Sequence, residues 1–225
     1  MFSVDGYLTK IAEIFSENGN AKIVVQQSEY LKNKFDFYGL KSPLRKTLIK
    51  HFFQEEGYPP IEFIEETIKA SYQYSQREMH YFAIEIAEKH KKHFTESSLE
   101  LIKWLIETNS WWDTVDLIAS HLVGYVVKKY PELITEMDKW IESENMWIRR
   151  SALLFQLSYK QGTDTERLFG YCTKLSSEKE FFIRKAIGWV LRQYAKTDSD
   201  KVVEYVNKQT ISNLSRKEAL KHIDV

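Results

Sequence analysis

The stretch of sequence that decides the fold is Trp147-Ile148-Arg149-Arg150-Ser151-Ala152, which recurs 35 residues later as Phe182-Ile183-Arg184-Lys185-Ala186-Ile187. A third aromatic residue, Trp112, stands another 35 residues upstream of Trp147. A fixed period of roughly 20 to 50 residues is typical of repeat proteins, in which one small unit of secondary structure stacks on its copies. The period therefore predicts a stack of similar units in this part of the chain.

The apolar residues of the two later copies predict which face of each helix is buried. Counted from the aromatic residue, the positions one, five, eight and twelve further on are apolar or aromatic in both copies, as on one face of an α-helix. They are Ile148, Ala152, Phe155 and Tyr159 in one copy and Ile183, Ile187, Val190 and Tyr194 in the other. The copy that begins at Trp112 departs from this pattern, since it places Asp113, Leu117, Ser120 and Gly124 at the same positions.

Helix signals fill the rest of the chain. Only eight glycines and four prolines interrupt it, and no sustained alternation of apolar and polar residues indicates a strand. Ser42-Pro43 has the pattern of an N-cap followed by proline at the first helical position. A serine or threonine followed three residues later by glutamate predicts an N-terminal capping box. This spacing occurs at Ser97/Glu100, Thr163/Glu166, Ser177/Glu180 and Ser215/Glu218.

Together these signals predict an all-α fold, a HEAT-like α-solenoid of about six antiparallel helix pairs. Each pair in such a solenoid contacts its neighbours, and the stack curves so that one face is concave. Tetratricopeptide units have a similar length, but their signature is absent. We expect one helical-repeat domain over residues 1–225.

The composition excludes several classes of protein. The formal net charge of zero gives no overall field that would indicate a nucleic-acid binder. The single cysteine, Cys172, cannot form an intramolecular disulfide or a cysteine-rich zinc site. The chain has no apolar run of about 18 residues that could span a membrane, and its N-terminus lacks a signal-peptide pattern. We expect a soluble, cytoplasmic protein with neither a metal nor another cofactor.

A second helical face carries unusual side chains. Trp112 and Asp116 are four residues apart, so they would project from the same side of a helix. In the repeat frame Arg150 and Trp189 fall on that same face, about 120° from the apolar one. Because equivalent faces of stacked units line up, these four side chains are predicted to form one shallow site. Basic residues flank it, namely Lys160, Lys185 and Arg192.

This predicted site combines groups that attract opposite charges. Indole faces and a carboxylate attract a cation, whereas Arg150 and the neighbouring basic residues suit a phosphate. A nucleic-acid backbone next to a positively charged base offers both. A purely structural interpretation stands beside this one: the indoles pack between helices, and Arg150 forms a salt bridge with Asp116.

Several stretches of the chain resemble the AlkD-type DNA alkylation repair glycosylases. The resemblance extends from about Tyr30 to Ile223. The stretches are Ser110-Trp111-Trp112-Asp113-Thr114-Val115-Asp116, Trp147-Ile148-Arg149-Arg150, Phe155-Gln156-Leu157, residues 181–192 with Gly188-Trp189, and Leu214-Ser215-Arg216-Lys217-Glu218-Ala219.

The resemblance implies HEAT-like repeats and a DNA glycosylase, and we expect a monomer because monomers are common among such solenoids. Such an enzyme removes cationic alkylated purines, chiefly 3-methyladenine and 7-methylguanine, from duplex DNA by hydrolysing the N-glycosidic bond. Asp116 resembles the family's catalytic carboxylate, which would stabilise an oxocarbenium-like transition state. Trp112 and Trp189 resemble the aromatic walls around the deoxyribose of the lesion. Arg150 resembles the basic residue that contacts the DNA backbone there.

Five further residues are predicted to contact DNA. Tyr30 resembles an aromatic residue near the opposite edge of the DNA, and Lys160, Lys185 and Arg192 are expected to bind phosphates. Two positions depart from the family pattern, because Ser158 stands where a basic residue is expected and Lys41 where an uncharged polar residue is expected. Lys41 is still counted among the predicted DNA contacts.

Two other functions compete with this interpretation. A non-catalytic helical-repeat scaffold would bind a protein or nucleic acid through the same groove, in keeping with the neutral charge and the many aromatic residues. A metal hydrolase has weaker support. His90 and His93 are three residues apart, but no carboxylate accompanies them at metal-ligand spacing.

Overall fold

The computed structural model describes residues 2–223, and within this range the chain is helical, with no β-strand beyond one isolated bridge between Asp36 and Gln76. The chain divides into two compact units, the first ending at His93 and the second beginning at Phe94. The all-α prediction is confirmed, and the prediction that both units act as one domain stays a prediction. None of the described helices has the length and apolar character needed to cross a membrane.

The first unit packs its helices around aromatic side chains. Its helices are α1 (Val4–Glu17), α2 (Ala21–Tyr30), α3 (Ser42–Glu55), α4 (Ile64–Ser71) and α5 (Arg77–His90), with 3₁₀ turns at Ile61–Phe63 and Lys91–His93. Rings from three helices meet in the core, since Phe52 lies 4.8 Å from Tyr7 and 5.7 Å from Phe82 between ring centroids. Burial of these rings stabilises the unit by removing apolar surface from water.

A buried carboxylate fixes the loop between α2 and α3. Glu78, at the start of α5, is fully buried. Its carboxylate oxygens accept hydrogen bonds from the backbone N–H groups of Tyr38, Gly39 and Leu40 at 3.0 to 3.1 Å. Backbone donors of this kind satisfy a buried negative charge. The loop therefore delivers Lys41 to the beginning of α3 in a defined position.

The second unit contains the sequence repeat. Its helices are α6 (Ser98–Glu107), α7 (Trp112–Leu117), α8 (Gly124–Lys129), α9 (Ile134–Trp140), α10 (Met146–Leu154), α11 (Thr165–Lys174), α12 (Phe181–Ala195), α13 (Ser199–Lys208) and α14 (Asn213–Ala219). Short 3₁₀ segments lie at Pro131–Leu133 and Lys160–Gly162, and a π-helical segment, Ile118–Val123, joins α7 to α8.

The predicted apolar face is buried in the structure. Seven of its eight residues are less than 9% exposed, and Tyr159 is half-buried. The Tyr159 hydroxyl donates a hydrogen bond of 2.6 Å to the carbonyl oxygen of Gly124, which lies 35 residues earlier. Ser215 Oγ likewise donates to the Arg184 carbonyl, 31 residues earlier, at 2.8 Å. Contacts at this recurring separation are what stacked helical units produce.

The first copy departs from the pattern already at Asp113 and Leu117, and the π-helical segment that follows them shifts the register of its later residues. A π-helix forms hydrogen bonds over five residues instead of four, so each turn is wider and the later side chains rotate around the helix axis. Leu117 is 38% exposed, whereas Ile118 and Ala119 immediately after it are fully buried. The apolar face predicted from the later copies therefore does not continue through this helix.

The capping predictions were wrong in detail. Lys41, not Ser42, is the N-cap of α3, and Ser42 is its first residue. Asp164, instead of Thr163, caps α11 by accepting a hydrogen bond from the N–H of Arg167. Ser97 makes no side-chain cap at α6, Glu180 itself occupies the N-cap of α12, and Ser215 and Glu218 lie within α14. Ser215 and Glu218 contact α12 instead, and the capping pattern does not predict this contact.

Replacing Gly188 by alanine is expected to lower the free energy of unfolding by about 1 to 3 kcal/mol. A Cβ atom at Gly188 on α12 would lie 2.5 Å from Glu218 Cβ and 2.8 Å from the Ser215 carbonyl oxygen, both on α14. The two helices would have to separate, and urea denaturation measures the loss.

Gly170→Ala provides the matched control. Gly170 also lies inside a helix, α11, but a Cβ atom there would meet nothing within 4 Å. Alanine has a higher helix propensity than glycine, so this variant should gain up to about 1 kcal/mol. Equal effects of the two substitutions would contradict the close packing of α12 against α14.

Candidate functional site

A buried ion pair joins two helices of the second unit. Asp116 is on α7 and Arg150 is on α10. Arg150 Nε donates to Asp116 Oδ1 at 2.7 Å, and Arg150 Nη2 donates to Asp116 Oδ2 at 2.8 Å. The Arg150 side chain is 4% exposed and that of Asp116 is 14% exposed. This bidentate geometry is the strong form of a guanidinium–carboxylate pair, and it fixes the plane of the carboxylate.

Arg150 also connects this pair to a third helix. Its Nη1 donates a short hydrogen bond to the Phe182 carbonyl oxygen at the start of α12, and its guanidinium carbon lies 5.9 Å from the centroid of the Phe182 ring. Residues from three consecutive copies of the repeat therefore meet here. The structural interpretation of Arg150 as the partner of Asp116 is confirmed.

Opposing effects act on the protonation of Asp116. Burial raises the pKa of the Asp116 carboxyl above the usual range, because a charge is less stable away from water. The hydrogen bonds and the charge of Arg150 lower this pKa, and the nearby charge of Asp113 raises it. The bidentate pair requires the ionised form of Asp116. The site therefore holds a carboxylate in a fixed orientation, partly exposed and partly balanced by one cation.

Three aromatic rings form one wall of the same region. The ring centroid of Trp111 lies 5.6 Å from that of Trp147 and 5.1 Å from that of Phe182, and the last two lie 5.1 Å apart. Trp147 and Phe182 are the aromatic residues that define the sequence repeat. Trp111 was not predicted to belong to the site, although its position next to Trp112 made it an equal candidate for a site residue.

The two predicted sugar-binding indoles lie on different helices of the second unit. Trp112 is the first residue of α7, four residues before Asp116, so the two side chains leave the helix on the same side. Trp189 lies on α12 and is half-buried, as is Trp112. That these two indoles enclose a sugar next to Asp116 stays a prediction.

Two of the predicted phosphate ligands already have a partner. Lys185 and Arg192 on α12 both form ion pairs with the carboxylate of Glu218 on α14. The Glu218 side chain is only 10% exposed. Glu218 was interpreted as part of a capping box, although it is the one acidic residue in the otherwise basic stretch of α14. Its acidity among basic neighbours was a signal for an ion pair.

The remaining predicted contacts are exposed side chains. Lys160 is exposed at the start of the 3₁₀ segment after α10, and Ser158 nearby is also exposed. Tyr30, at the end of α2, is 68% exposed, and Lys41 is exposed at the start of α3. Both belong to the first unit. In residues 2–223 no group of three or more histidine, cysteine, aspartate or glutamate side chains is arranged to hold a metal ion.

The second unit consists of stacked helices whose side chains contact residues about 35 positions away in the sequence. A buried carboxylate–guanidinium pair joins two of these helices. These features define a HEAT-like helical-repeat protein. A family model described as DNA alkylation repair enzyme matches residues 11–223. The chain therefore belongs to the DNA alkylation repair enzyme family.

One solved structure agrees with this assignment, and two others share the fold. The chain is similar to a predicted DNA alkylation repair enzyme from Enterococcus faecalis, with a TM-score of 0.85 and 33% sequence identity over 91% of this chain and 96% of that one. It has the same fold as AlkD2 from Streptococcus mutans, with a TM-score of 0.68, 17% identity, and coverage of 99% and 100%. The smu.31 protein from Streptococcus mutans UA159 follows, with a TM-score of 0.64, 16% identity, and coverage of 97% and 100%. A comparison with curated proteins gave no match.

Proposed function

We propose that this protein is a monofunctional DNA glycosylase, a cytoplasmic monomer that hydrolyses the N-glycosidic bond of cationic alkylated purines, 3-methyladenine and 7-methylguanine, in duplex DNA. The observation that carries the proposal is the Asp116 carboxylate. In a chain of the DNA alkylation repair enzyme family, it is held by two hydrogen bonds from Arg150 while 14% of its side chain remains accessible.

The chemistry of the substrate suits a single carboxylate. A purine alkylated at a ring nitrogen is already cationic, so it departs as a neutral base with little help from a general acid. The positive charge then develops on the deoxyribose as the glycosidic bond breaks. A carboxylate about 4 Å from that charge contributes on the order of 4 kcal/mol at an effective dielectric constant near 20. Asp116 could also orient the attacking water.

Arg150 and the indoles have supporting roles in this proposal. Arg150 orients the Asp116 carboxylate, and a direct phosphate contact would require its Nη1 to leave the Phe182 carbonyl oxygen. Trp112 and Trp189 would face the sugar, where each indole adds about 0.5 to 2 kcal/mol of cation–π attraction.

Basic and aromatic residues of both units are proposed to hold the DNA. Lys185 and Arg192 would exchange the Glu218 carboxylate for phosphates when DNA binds. Lys160 and Lys41 are exposed and available to phosphates, and the exposed ring of Tyr30 would contact the duplex. Binding through phosphates makes affinity depend strongly on salt concentration.

Incubation with methylated duplex DNA tests the proposal. The expected result is the release of free 7-methylguanine and 3-methyladenine, identified by mass, with abasic sites left in an unbroken strand. Unmethylated duplex serves as the control and should release no base. Methylated DNA that remains intact under conditions where the protein binds it would contradict the proposal.

The non-catalytic scaffold is the second candidate, and exposed aromatic residues favour it. Tyr30, Tyr58 and Phe181 are each about half exposed or more, as is common at protein interfaces. DNA affinity at low and at moderate salt separates the two functions. A glycosylase should bind duplex DNA with an affinity that falls as salt rises, and a protein-binding scaffold should not bind it.

A further inference from the structure

A cavity of about 270 Å³ lies in the second unit, next to the C-terminal end of α12. Its walls come from the segment after α10, which includes Lys160 and Thr163, and from the last turns of α12 with Gln193 and Lys196. None of Asp116, Arg150, Trp112 and Trp189 lines it. Its volume is just below the range of about 300 to 1,000 Å³ for drug-sized ligands, so it suits a smaller molecule.

The charges that line this cavity have one sign. Two lysines, Lys160 and Lys196, contribute to the lining, and no aspartate or glutamate does. The carboxylates that stand next to the lining in sequence are already engaged, since Asp164 pairs with Arg167 and Asp198 with Lys201. The cavity therefore presents a positive potential that favours an anion.

The rest of the lining indicates that the anion has an organic part. Leu157, Leu168, Val190 and Tyr194 supply apolar surface, and Gln161, Gln193, Thr163 and Thr197 supply hydrogen-bonding groups. Two cations beside such a mixed surface match a phosphate group attached to a sugar and a flat ring. The four apolar residues are each at most 9% exposed, so they offer a small apolar patch beside the hydrogen-bonding groups.

The backbone at Lys160 adds a separate observation. Lys160 has a φ of +53°, in the left-handed region that residues other than glycine rarely adopt. Such a conformation costs free energy and is found preferentially at functional sites. Here it lies at the beginning of the 3₁₀ segment that forms one side of the cavity.

The register of α12 places one lysine of the cavity, Lys196, in line with residues of the predicted DNA-binding face. Lys185, Trp189, Arg192 and Lys196 follow one another at spacings of four, three and four residues, so they lie along one side of the helix. Lys185 and Lys196 are about 16 Å apart along the helix axis. Val190 and Tyr194, which also line the cavity, belong to the buried face of α12, so Lys196 is the member of this row that the cavity shares.

We propose that this cavity binds a nucleoside monophosphate unit, with Lys160 and Lys196 on the phosphate and the apolar surface against the sugar and base. The unit is either a free nucleotide or one nucleotide of a DNA strand. The proposal goes beyond base excision, because it requires neither Asp116 nor an alkylated base.

Calorimetric titration with small molecules tests whether the cavity binds a free nucleotide. Deoxyadenosine monophosphate should bind wild-type protein at least about tenfold more tightly than deoxyadenosine or inorganic phosphate, because only it engages both parts of the cavity. Lys160→Ala combined with Lys196→Ala should weaken that binding at least about tenfold. Lys208→Ala, an exposed lysine paired with Glu204 on α13, is the control and should bind like wild type. Circular dichroism confirms that each variant is folded.

Titration with an undamaged DNA duplex tests whether the cavity binds one nucleotide of a DNA strand. If the cavity takes a nucleotide of the strand, Lys196→Ala alone should reduce the slope of log affinity against log salt by about one, and Lys208→Ala should leave it unchanged. Lys196 is substituted alone because Lys160 is already a phosphate contact in the proposed function. A tenfold loss for the free nucleotide or a reduced slope for the duplex supports the proposal and identifies the source. The proposal is overturned if the folded double variant binds the nucleotide like wild type and Lys196→Ala keeps the wild-type slope. Neither titration depends on release of a base.

Discussion

Asp116→Asn is expected to lower the single-turnover release of 7-methylguanine from duplex DNA by about a thousandfold. The substitution removes the negative charge and leaves the shape of the side chain nearly unchanged. A carboxylate near the developing sugar cation contributes on the order of 4 kcal/mol, and each 1.36 kcal/mol corresponds to about a factor of ten in rate. Quenched-flow measurement of the released base gives the rate directly.

Asp113→Asn is the matched control for this variant. Asp113 lies three residues before Asp116 on α7, so its substitution changes the charge of the same helix by the same amount. It should keep its rate within a few-fold of wild type. Trp112→Ala and Trp189→Ala should lose less than Asp116→Asn, because cation–π attraction is worth only about 0.5 to 2 kcal/mol for each ring. An Asp116→Asn protein of full activity would show that another group stabilises the transition state.

Arg150→Met is expected to destabilise the fold by about 3 to 5 kcal/mol. Methionine keeps much of the volume but removes the guanidinium, so the buried Asp116 carboxylate loses both of its hydrogen bonds from Arg150 and its neighbouring positive charge. The Phe182 carbonyl oxygen loses a donor as well. Urea denaturation at neutral pH measures the change in the free energy of unfolding.

Two further variants separate this effect from a general loss of charge. Lys208→Ala removes one member of an exposed ion pair, with side chains 70% and 61% exposed, and it should leave stability nearly unchanged because water screens such pairs. Asp116→Asn combined with Arg150→Met should be less destabilising than the sum of the two single substitutions, since no buried charge is left without its partner. Strict additivity would mean that the two side chains do not interact energetically.

Both predictions concern Asp116 and Arg150. From the sequence they were predicted to lie on one surface, with Asp116 stabilising the sugar and Arg150 contacting the DNA backbone. The repeat frame put Asp116 and Arg150 on equivalent helix faces, and stacking then brought them together. Their direct pairing was only one of two interpretations. The choice between them depends on whether the guanidinium turns towards the carboxylate or towards solvent, and neighbouring helices decide this.

Much of the fold followed from the sequence alone. The spacing of Ile148, Ala152 and Phe155, repeated from Ile183 onwards, identified the buried side of α10 and α12. Such spacing is informative because burial of apolar surface is the dominant driving force of folding. A helix with one buried side therefore carries an apolar residue at each turn. The family motifs identified the chain as a DNA alkylation repair protein for a related reason, since they combine helix anchors with chemically distinctive residues.

Only the tertiary structure decided how the charged groups are paired. Arg150 reaches Asp116 across 34 residues and the Phe182 carbonyl across 32, and Glu218 reaches Lys185 across 33. The π-helical segment after α7 likewise escaped prediction, because no local residue pattern announces the extra width of its turns. The physical reason is the range of the interactions. Apolar periodicity and helix propensity act over a few neighbouring residues, whereas an ion pair forms between side chains that become neighbours only after the helices have stacked.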